Sequence, residues 1–313
     1  MVLITGAGAG IGRALAGELI ERGHIVYGGV RNMKRARAEL APLIERPEFR
    51  LLELDVNRPA HIERGVLRIH KECGRVDVLI NNAGYGLYGA FEELPEAEFR
   101  AQLETNLFGA MRMARAVLPG MRERGHGRIL NVSSILGRIV VPTGSAYTAS
   151  KWALEAFSES LRYEVLPFGI YTSLIEPGLI RTNFKQNMQM IAGPQKAARK
   201  STAKQKPAGK QTPPASPYSF LTAHIGRDYD GFSTGAQSAA RTIANITERR
   251  RPAVRYRVGL DSHGYNFLRW LLPEIVFDAL LRTAVFFMAR KQPPAAAGSA
   301  PDSSSAPRSA GKT

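Results

Sequence analysis

The chain opens Met1-Val2-Leu3-Ile4-Thr5-Gly6-Ala7-Gly8-Ala9-Gly10-Ile11-Gly12, and no other feature narrows its fold as much. Val2 to Ile4 is a short apolar run that predicts a buried strand. Gly6, Gly10 and Gly12 then supply a tight turn, room for close approach of a ligand, and close packing of the next helix. An amphipathic run from Ile11 to Arg22 begins at once. Its first N–H groups therefore face the turn, where they can receive a pyrophosphate. A glycine cluster alone often marks an ordinary loop. Strand before and helix after make this one a dinucleotide-binding arrangement.

The rest of the chain repeats the strand-to-helix alternation. Apolar strand-like runs recur at Ile25–Val30, Arg50–Leu54, Val76–Ile80, Arg128–Val132, Ile170–Ile175 and Val254–Val258, separated by helical patterns. Alternation of this kind indicates parallel strands with helical crossovers on both faces. With the opening strand there are seven, and one doubly wound α/β domain accommodates them. The expected organisation is a core over 1–184, a basic insertion over 185–232, a closing segment of the same domain over 233–291, and a tail over 292–313.

Tyr147 and Lys151 are four residues apart, thirteen and seventeen residues after Ser134. A four-residue step returns to the same helical face, so phenol and ammonium can project into one site. The hydroxyl-rich turn Asn131-Val132-Ser133-Ser134 follows a strand-like run and can bring Ser134 to the same place. This trio suits proton transfer at a carbonyl or alcohol oxygen. The phenol would be the acid or base, the ammonium would lower its pKa, and Ser134 would hold the substrate oxygen. Ser133 reads as a turn hydroxyl outside that set.

Together these residues resemble the short-chain dehydrogenase/reductase family, which implies a single-domain Rossmann fold with a mainly parallel seven-stranded sheet. Thr5-Gly6-Ala7-Gly8-Ala9-Gly10-Ile11-Gly12 fits the TGxxxGIG cofactor motif, and Asn81-Asn82-Ala83-Gly84 fits NNAG. Ser134, Tyr147 and Lys151 match the catalytic serine and YxxxK. Pro177-Gly178-Leu179-Ile180-Arg181-Thr182 fits the PGxxxT stretch that closes over the nicotinamide. The resemblance also implies that Asn106 is a catalytic asparagine holding a water beside Lys151. It further implies that Asp55 and Val56 hold the adenine, and that the chain forms a homodimer or homotetramer. It extends from Val2 to about Asn183 and is weaker from about Ser233 to Arg290.

Cofactor choice is argued at the end of the second strand, Val26-Tyr27-Gly28-Gly29-Val30-Arg31-Asn32. An acidic side chain there would bind the ribose hydroxyls of NAD and repel a 2′-phosphate. This chain has none, and Arg31 stands where the adenosine ribose should lie, able to pair bidentately with a phosphate. NADP(H) is the expected cofactor and NAD(H) stays open. Arg13 is a second candidate for the same phosphate.

The formal charge of +16 raises the question of nucleic acid. From Lys185 to Lys210 there are seven basic residues (Lys185, Lys196, Arg199, Lys200, Lys204, Lys206, Lys210) and no acidic one. That stretch is rich in Ala, Gln, Pro and Ser and follows the PGxxxT-like segment, so it reads as a solvated insertion in the substrate-covering region. No aromatic interleaving or nucleic-acid motif accompanies it, and nucleic acid is not an expected partner. The single cysteine, Cys73, excludes an internal disulfide and a cysteine-based zinc site; no metal is expected. The chain begins directly on its first strand, from which a cytoplasmic location is expected.

Asn266 to Arg290 is apolar but broken by Arg269, Pro273, Glu274, Asp278 and Arg282. It falls short of the roughly 20 apolar residues of a membrane span. It is expected instead to line a lipophilic pocket, meet another subunit, or lie on a membrane surface. Tyr85-Gly86 and Ser160-Leu161-Arg162-Tyr163-Glu164 resemble the hydroxysteroid and retinol dehydrogenase branch. That likeness implies a lipophilic alcohol or carbonyl substrate, with Leu136, Val140, Val141, Leu179 and Phe184 as pocket walls. Two alternatives stay open: a carrier-linked 3-oxoacyl reductase, and an NADP(H)-binding sensor without turnover.

Overall fold

In the opening strand Val2 and Ile4 belong to one face and Leu3 to the other, and all three are fully buried. A strand apolar on both faces belongs inside a sheet that is covered twice. The computed structural model of the protein, which describes residues 1–182, 188–191, 216–222 and 233–290, contains that sheet. Its strands are β1 (Val2–Thr5), β2 (Val26–Val30), β3 (Phe49–Glu53), β4 (Val78–Asn81), β5 (Gly127–Val132), β6 (Ile170–Pro177) and β7 (Arg255–Val258). They lie in the order β7-β6-β5-β4-β1-β2-β3, and every neighbouring pair is parallel. All seven expected strands are present, with ends moved by at most two residues.

The longer helices are α1 (Gly10–Glu21), α2 (Met33–Glu39), α3 (Pro59–Cys73), α4 (Glu96–Leu103), α5 (Gly109–Glu123), α6 (Ser145–Val165), α7 (Ala236–Glu248), α8 (Leu260–Leu271) and α9 (Glu274–Arg290), and two four-residue helices are Ala41–Ile44 and Ser219–Thr222. On one face Leu15 and Leu19 of α1 and Ile243 and Ile246 of α7 pack on Val2, Ile4, Ile80 and Leu130. On the other, Ile62 and Ile69 of α3, Met113 and Val117 of α5 and Leu161 of α6 pack on Leu3, Leu79 and Ile129. Burial of this kind is worth about 1.5–3 kcal/mol for each large aliphatic side chain. Helix α3 shows the local punctuation: Pro59 opens it, and Gly74, with φ of 73°, closes it in the left-handed conformation.

Two features position the site. Strand order reverses about β1, which has β2 on one side and β4 on the other. Such a switch point leaves a crevice at the carboxyl ends of the strands. Between α4 and α5, residues Glu104–Phe108 form a π-helical turn. The turn widens the helix where Asn106 sits, a device common at functional sites.

Helices α8 and α9 differ from the rest. Only Ser262 and Asn266 are buried in α8, and no residue of α9 is. Polar contacts tie the start of α8 to the end of β6: Leu179 N–H donates to the Asp261 carboxylate, and Ser262 Oγ donates to the Glu176 carbonyl at 2.8 Å. Among the described residues no helix is long and apolar enough to cross a membrane. The expected boundaries at 184 and 232, the basic run from Lys185 to Lys210, and the tail lie outside the described residues.

Candidate active site

The glycine turn and the Asn81-Asn82-Ala83-Gly84 segment are knitted together at the switch point. Thr5 Oγ1 accepts from the N–H groups of Asn82 and Ala83, both at 3.0 Å. Asn82 Nδ2 returns hydrogen bonds to the carbonyls of Thr5 at 3.1 Å and Gly6 at 3.0 Å. Gly6 and Gly10 have φ of 67° and 56°, which disfavours any residue with a side chain. A Cβ on Gly12 would collide with the Gly6 carbonyl. The amino-terminal end of α1 therefore opens directly onto the cleft.

Strand β5 and helix α6 bring the serine, tyrosine and lysine together. Asn81 Nδ2 donates to Asn131 Oδ1 at 2.9 Å, and Asn131 Nδ2 donates to Ser158 Oγ at 2.7 Å, fixing β4, β5 and α6 in register. Ser134, Tyr147 and Lys151 are all buried. The Ser134 hydroxyl lies beside the phenol of Tyr147 and favours its ionised form. Lys151 Nζ donates to the Val132 carbonyl at 2.8 Å and stands 5.7 Å from the centre of the Tyr147 ring. Tyr88 packs on the same ring, with centroids 5.7 Å apart.

Asn106 lies one layer behind. Its Nδ2 donates to the Tyr85 carbonyl at 3.1 Å and to Ser150 Oγ at 3.0 Å, while Oδ1 accepts from Tyr85 N–H at 3.2 Å. Both amide hydrogens are thus committed to protein groups. A side chain at Gly84 would press on Asn106 Oδ1 at 3.0 Å and come within 3.8 Å of Lys151 Nζ. Asn106 therefore holds the backbone that runs past the lysine.

Burial dominates the electrostatics. It pushes the Tyr147 phenol up to about 12, with the Ser134 hydroxyl opposing. It pushes Lys151 down to about 8, with Glu155 opposing. Burial and the Ser134 hydroxyl thus act on the phenol in opposite directions, and burial is the larger. Behind Lys151 lies a cluster that sequence reasoning missed. Glu155 and Glu176 are buried carboxyls, both raised chiefly by burial. Arg255 of β7 reaches each at 3.1 Å and Glu159 at 2.6 Å. The Arg-Tyr-Arg alternation of β7 was its only sequence signal.

A cleft of about 710 Å³ connects the two regions, within the range of roughly 300–1,000 Å³ typical of ligand sites. Gly6, Gly10, Ile11, Arg31, Val56, Asn82, Ala83, Gly84, Ser134, Tyr147, Lys151, Pro177, Gly178 and Thr182 line it. Thr182 crosses the glycine turn, 3.4 Å from where a Cβ on Gly10 would lie. Thr5, Gly12, Asn106 and Asp55 do not line it. The first three support its walls from behind. Asp55 accepts from Asn57 N–H at 3.0 Å, and the adjacent Val56 and Asn57 face the cleft instead. Arg13 is exposed and away from the cleft, whereas Arg35 and Asn32 line it beside Arg31. The signal for them was the start of α2, where Asn32 Oδ1 caps Arg35 N–H at 2.9 Å.

The expected pocket walls are distributed differently. Val140 and Val141 line a second apolar hollow with Phe91 and Trp152. Leu136 and Leu179 are not on the wall of the main cleft, and Phe184 lies outside the described residues.

A doubly wound parallel sheet, a glycine turn at its switch point and a Ser-Tyr-Lys cluster at the far end of one cleft define an oxidoreductase of the Rossmann type. Residues 1–191 match the sequence model of the family described as short chain dehydrogenase, and the chain belongs to the short-chain dehydrogenase/reductase family. Over 187 residues it is 43% identical to the 3-ketodihydrosphingosine reductase of Bacteroides thetaiotaomicron, covering 60% of this chain and 66% of that protein. It is 40% identical over 195 residues to human 17-beta-hydroxysteroid dehydrogenase type 1, covering 60% of this chain and 59% of that protein. Each match spans less than two thirds of the relative's own length. Among solved structures, a short-chain dehydrogenase from Streptomyces avermitilis superposes with a TM-score of 0.72 at 31% identity, covering 92% of this chain and 98% of that one. The closed form of a serine dehydrogenase complexed with NADP+ superposes with a TM-score of 0.65 at 25% identity, covering 83% and 94%.

Proposed function

We propose that the protein interconverts a lipophilic alcohol and its ketone or aldehyde with a nicotinamide cofactor, NADP(H) in preference to NAD(H), and that Tyr147 moves the proton on the substrate oxygen. The observation that carries this is the single cleft running from Arg31 over the glycine turn to Ser134, Tyr147 and Lys151. Its walls suit a dinucleotide: two left-handed glycines and the open end of α1 for a pyrophosphate, and two guanidiniums for a ribose phosphate. When bound, the nicotinamide supplies or accepts the hydride.

The chain's own residues do the rest. The Ser134 hydroxyl orients the substrate oxygen toward the phenol. Tyr147, held protonated by burial, donates its proton as a carbonyl is reduced and takes it back as an alcohol is oxidised. The reverse direction requires the phenolate, which costs roughly 1.4 kcal/mol for each pH unit below the phenol's pKa. The Lys151 ammonium offsets part of that cost. Asn106 is a positioning residue that acts through Tyr85 and Ser150. Gln189–Met190 pair with Leu87–Tyr88 and Gln189 lines the cleft, so an insertion in the substrate-covering region would begin after Ile191, where the family match ends. The lipophilic substrate class is supported by the sphingosine and steroid named in the two relatives.

The test is NADPH and NADH consumption by purified protein against long-chain ketones, steroid ketones and fatty aldehydes. Turnover with NADPH on lipophilic carbonyls is expected. Turnover confined to acyl thioesters would replace the substrate class, and cofactor binding without turnover on any carbonyl would overturn the enzymatic reading.

A further inference from the structure

The lysine of the cleft has an acid one helical turn beyond it. Lys151 and Glu155 are four residues apart on α6, a spacing that puts both side chains on one face, and both are buried. The fold makes room for this carboxyl. Gly137, in the turn after Ser134, has no side chain; a Cβ there would meet Ser133 Oγ at 2.8 Å and Glu155 Oε1 at 3.1 Å. The Ser133 hydroxyl thus lies beside the carboxyl and favours its ionised form.

A carboxyl this deeply buried stays charged only where an opposite charge answers it. Arg255 of β7 answers it here. Its Nε stands 3.1 Å from Glu155 Oε2 and 3.1 Å from Glu176 Oε1 of β6, and its Nη1 stands 2.6 Å from Glu159 of α6. Arg138, in the turn after Ser134, and Arg257 of β7 add positive charge that holds Glu176 toward its ionised form. Burial and the neighbouring Glu176 push Glu155 the other way. Arg255 takes Oε2 of Glu155, whereas Oε1 makes no hydrogen bond among the described residues. At this depth water does not screen the charge from the lysine.

We propose that Glu155 is a positioning residue of the reaction: its carboxylate, held ionised by Arg255, keeps the ammonium on Lys151 and thereby sets the pH range in which an alcohol is oxidised. The proposal rests on the reading of Tyr147 as the group that moves the proton. Oxidation requires the phenolate, and the Lys151 ammonium, 5.7 Å from the centre of that ring, favours it. Burial drives Lys151 toward its neutral form, and the Val132 carbonyl it donates to carries no charge. Glu155 supplies the opposing charge. Without it the ammonium is lost at lower pH, and the phenolate loses its support there.

Glu155→Gln keeps the shape of the side chain and removes its charge. In full-length protein with isotope-labelled lysine, the NMR signal of Lys151 is assigned by its absence in Lys151→Met. In the wild type it should titrate at about 8, and in Glu155→Gln about one pH unit lower. The ratio of alcohol-oxidation rates at pH 8 and pH 6 should then fall about fivefold, because less ammonium survives at pH 8. A merely structural loss lowers both rates together and leaves that ratio alone. Glu155→Asp, which keeps the charge, should restore the ratio. Ser133→Ala, a milder change beside the same carboxyl, should move the titration in the same direction by less. A Lys151 titration unmoved in both Glu155→Gln and Ser133→Ala would overturn the proposal. So would an unchanged rate ratio in a Glu155→Gln protein that keeps its thermal transition. A wild type that oxidises no alcohol would overturn the functional reading instead, and the titration would still decide whether Glu155 holds the charge on Lys151.

Discussion

The central sheet and the two carboxy-terminal helices are both rich in large apolar residues, and they dispose of them in opposite ways. Strand β4 buries all four of its residues between two helical layers, whereas α9 buries none of its seventeen. The difference lies in what each apolar residue has as its neighbour. In the sheet, alternate residues face α1 and α7 or α3, α5 and α6, so every position has a partner layer. The terminal helices are held at one end by Asp261 and Ser262, and of the described elements the short helix Ser219–Thr222 packs against α9. Apolar content alone therefore does not tell whether a segment builds a core or lies at the surface; the layers packed against it do.

The largest effect that would sharpen this comparison is at Arg255. Its guanidinium compensates Glu155 and Glu176, both buried. Arg255→Met should destabilise the fold by about 3–5 kcal/mol, because it strands buried carboxylates. Burial already raises both carboxyls, so the folded state favours their protonated forms. The loss should therefore shrink as pH falls from 8 toward 5 and the carboxyls take up protons. Denaturant unfolding at the two pH values reads it, and an equal loss at both would show that the carboxyls are not the cause. Next is the core itself: Ile80→Ala, at a fully buried position of β4, should cost about 2–5 kcal/mol. Arg31→Ala should reduce the preference for NADPH over NADH by about tenfold, the loss of one charge-assisted contact; fluorescence titration with both cofactors measures it. Smallest is Phe287→Ala, at a position 58% exposed, expected to alter stability in solution by less than about 0.5 kcal/mol. A loss as large as that of Ile80→Ala would mean that α9 belongs to the core.

Much of the core was legible in the chain. The strand runs carry their own period, and the glycine turn, Asn82, Ser134, Tyr147 and Lys151 sit at spacings that fix their geometry once strand and helix form. What was not legible depends on pairing across the fold. Arg255 lies 100 residues from Glu155, and nothing local links them. The π-helical turn that holds Asn106 breaks a helix no pattern would interrupt. Arg35 joins Arg31 only because α2 starts at Asn32. Burial of Tyr147 raises its phenol, an effect of the tertiary surroundings that the Tyr-x-x-x-Lys spacing cannot express. The pocket walls were the weakest expectation, since Val140 and Val141 face a different hollow.

The most direct measurement compares wild type and Tyr147→Phe in the same reductase assay, with NADPH binding followed separately by fluorescence. The central claim is that the phenol at the end of the cleft is the proton donor. It predicts a loss of turnover of about 10²–10⁴-fold with cofactor affinity changed less than about threefold. Turnover retained within a few-fold in the phenylalanine variant, with NADPH still bound, would contradict it.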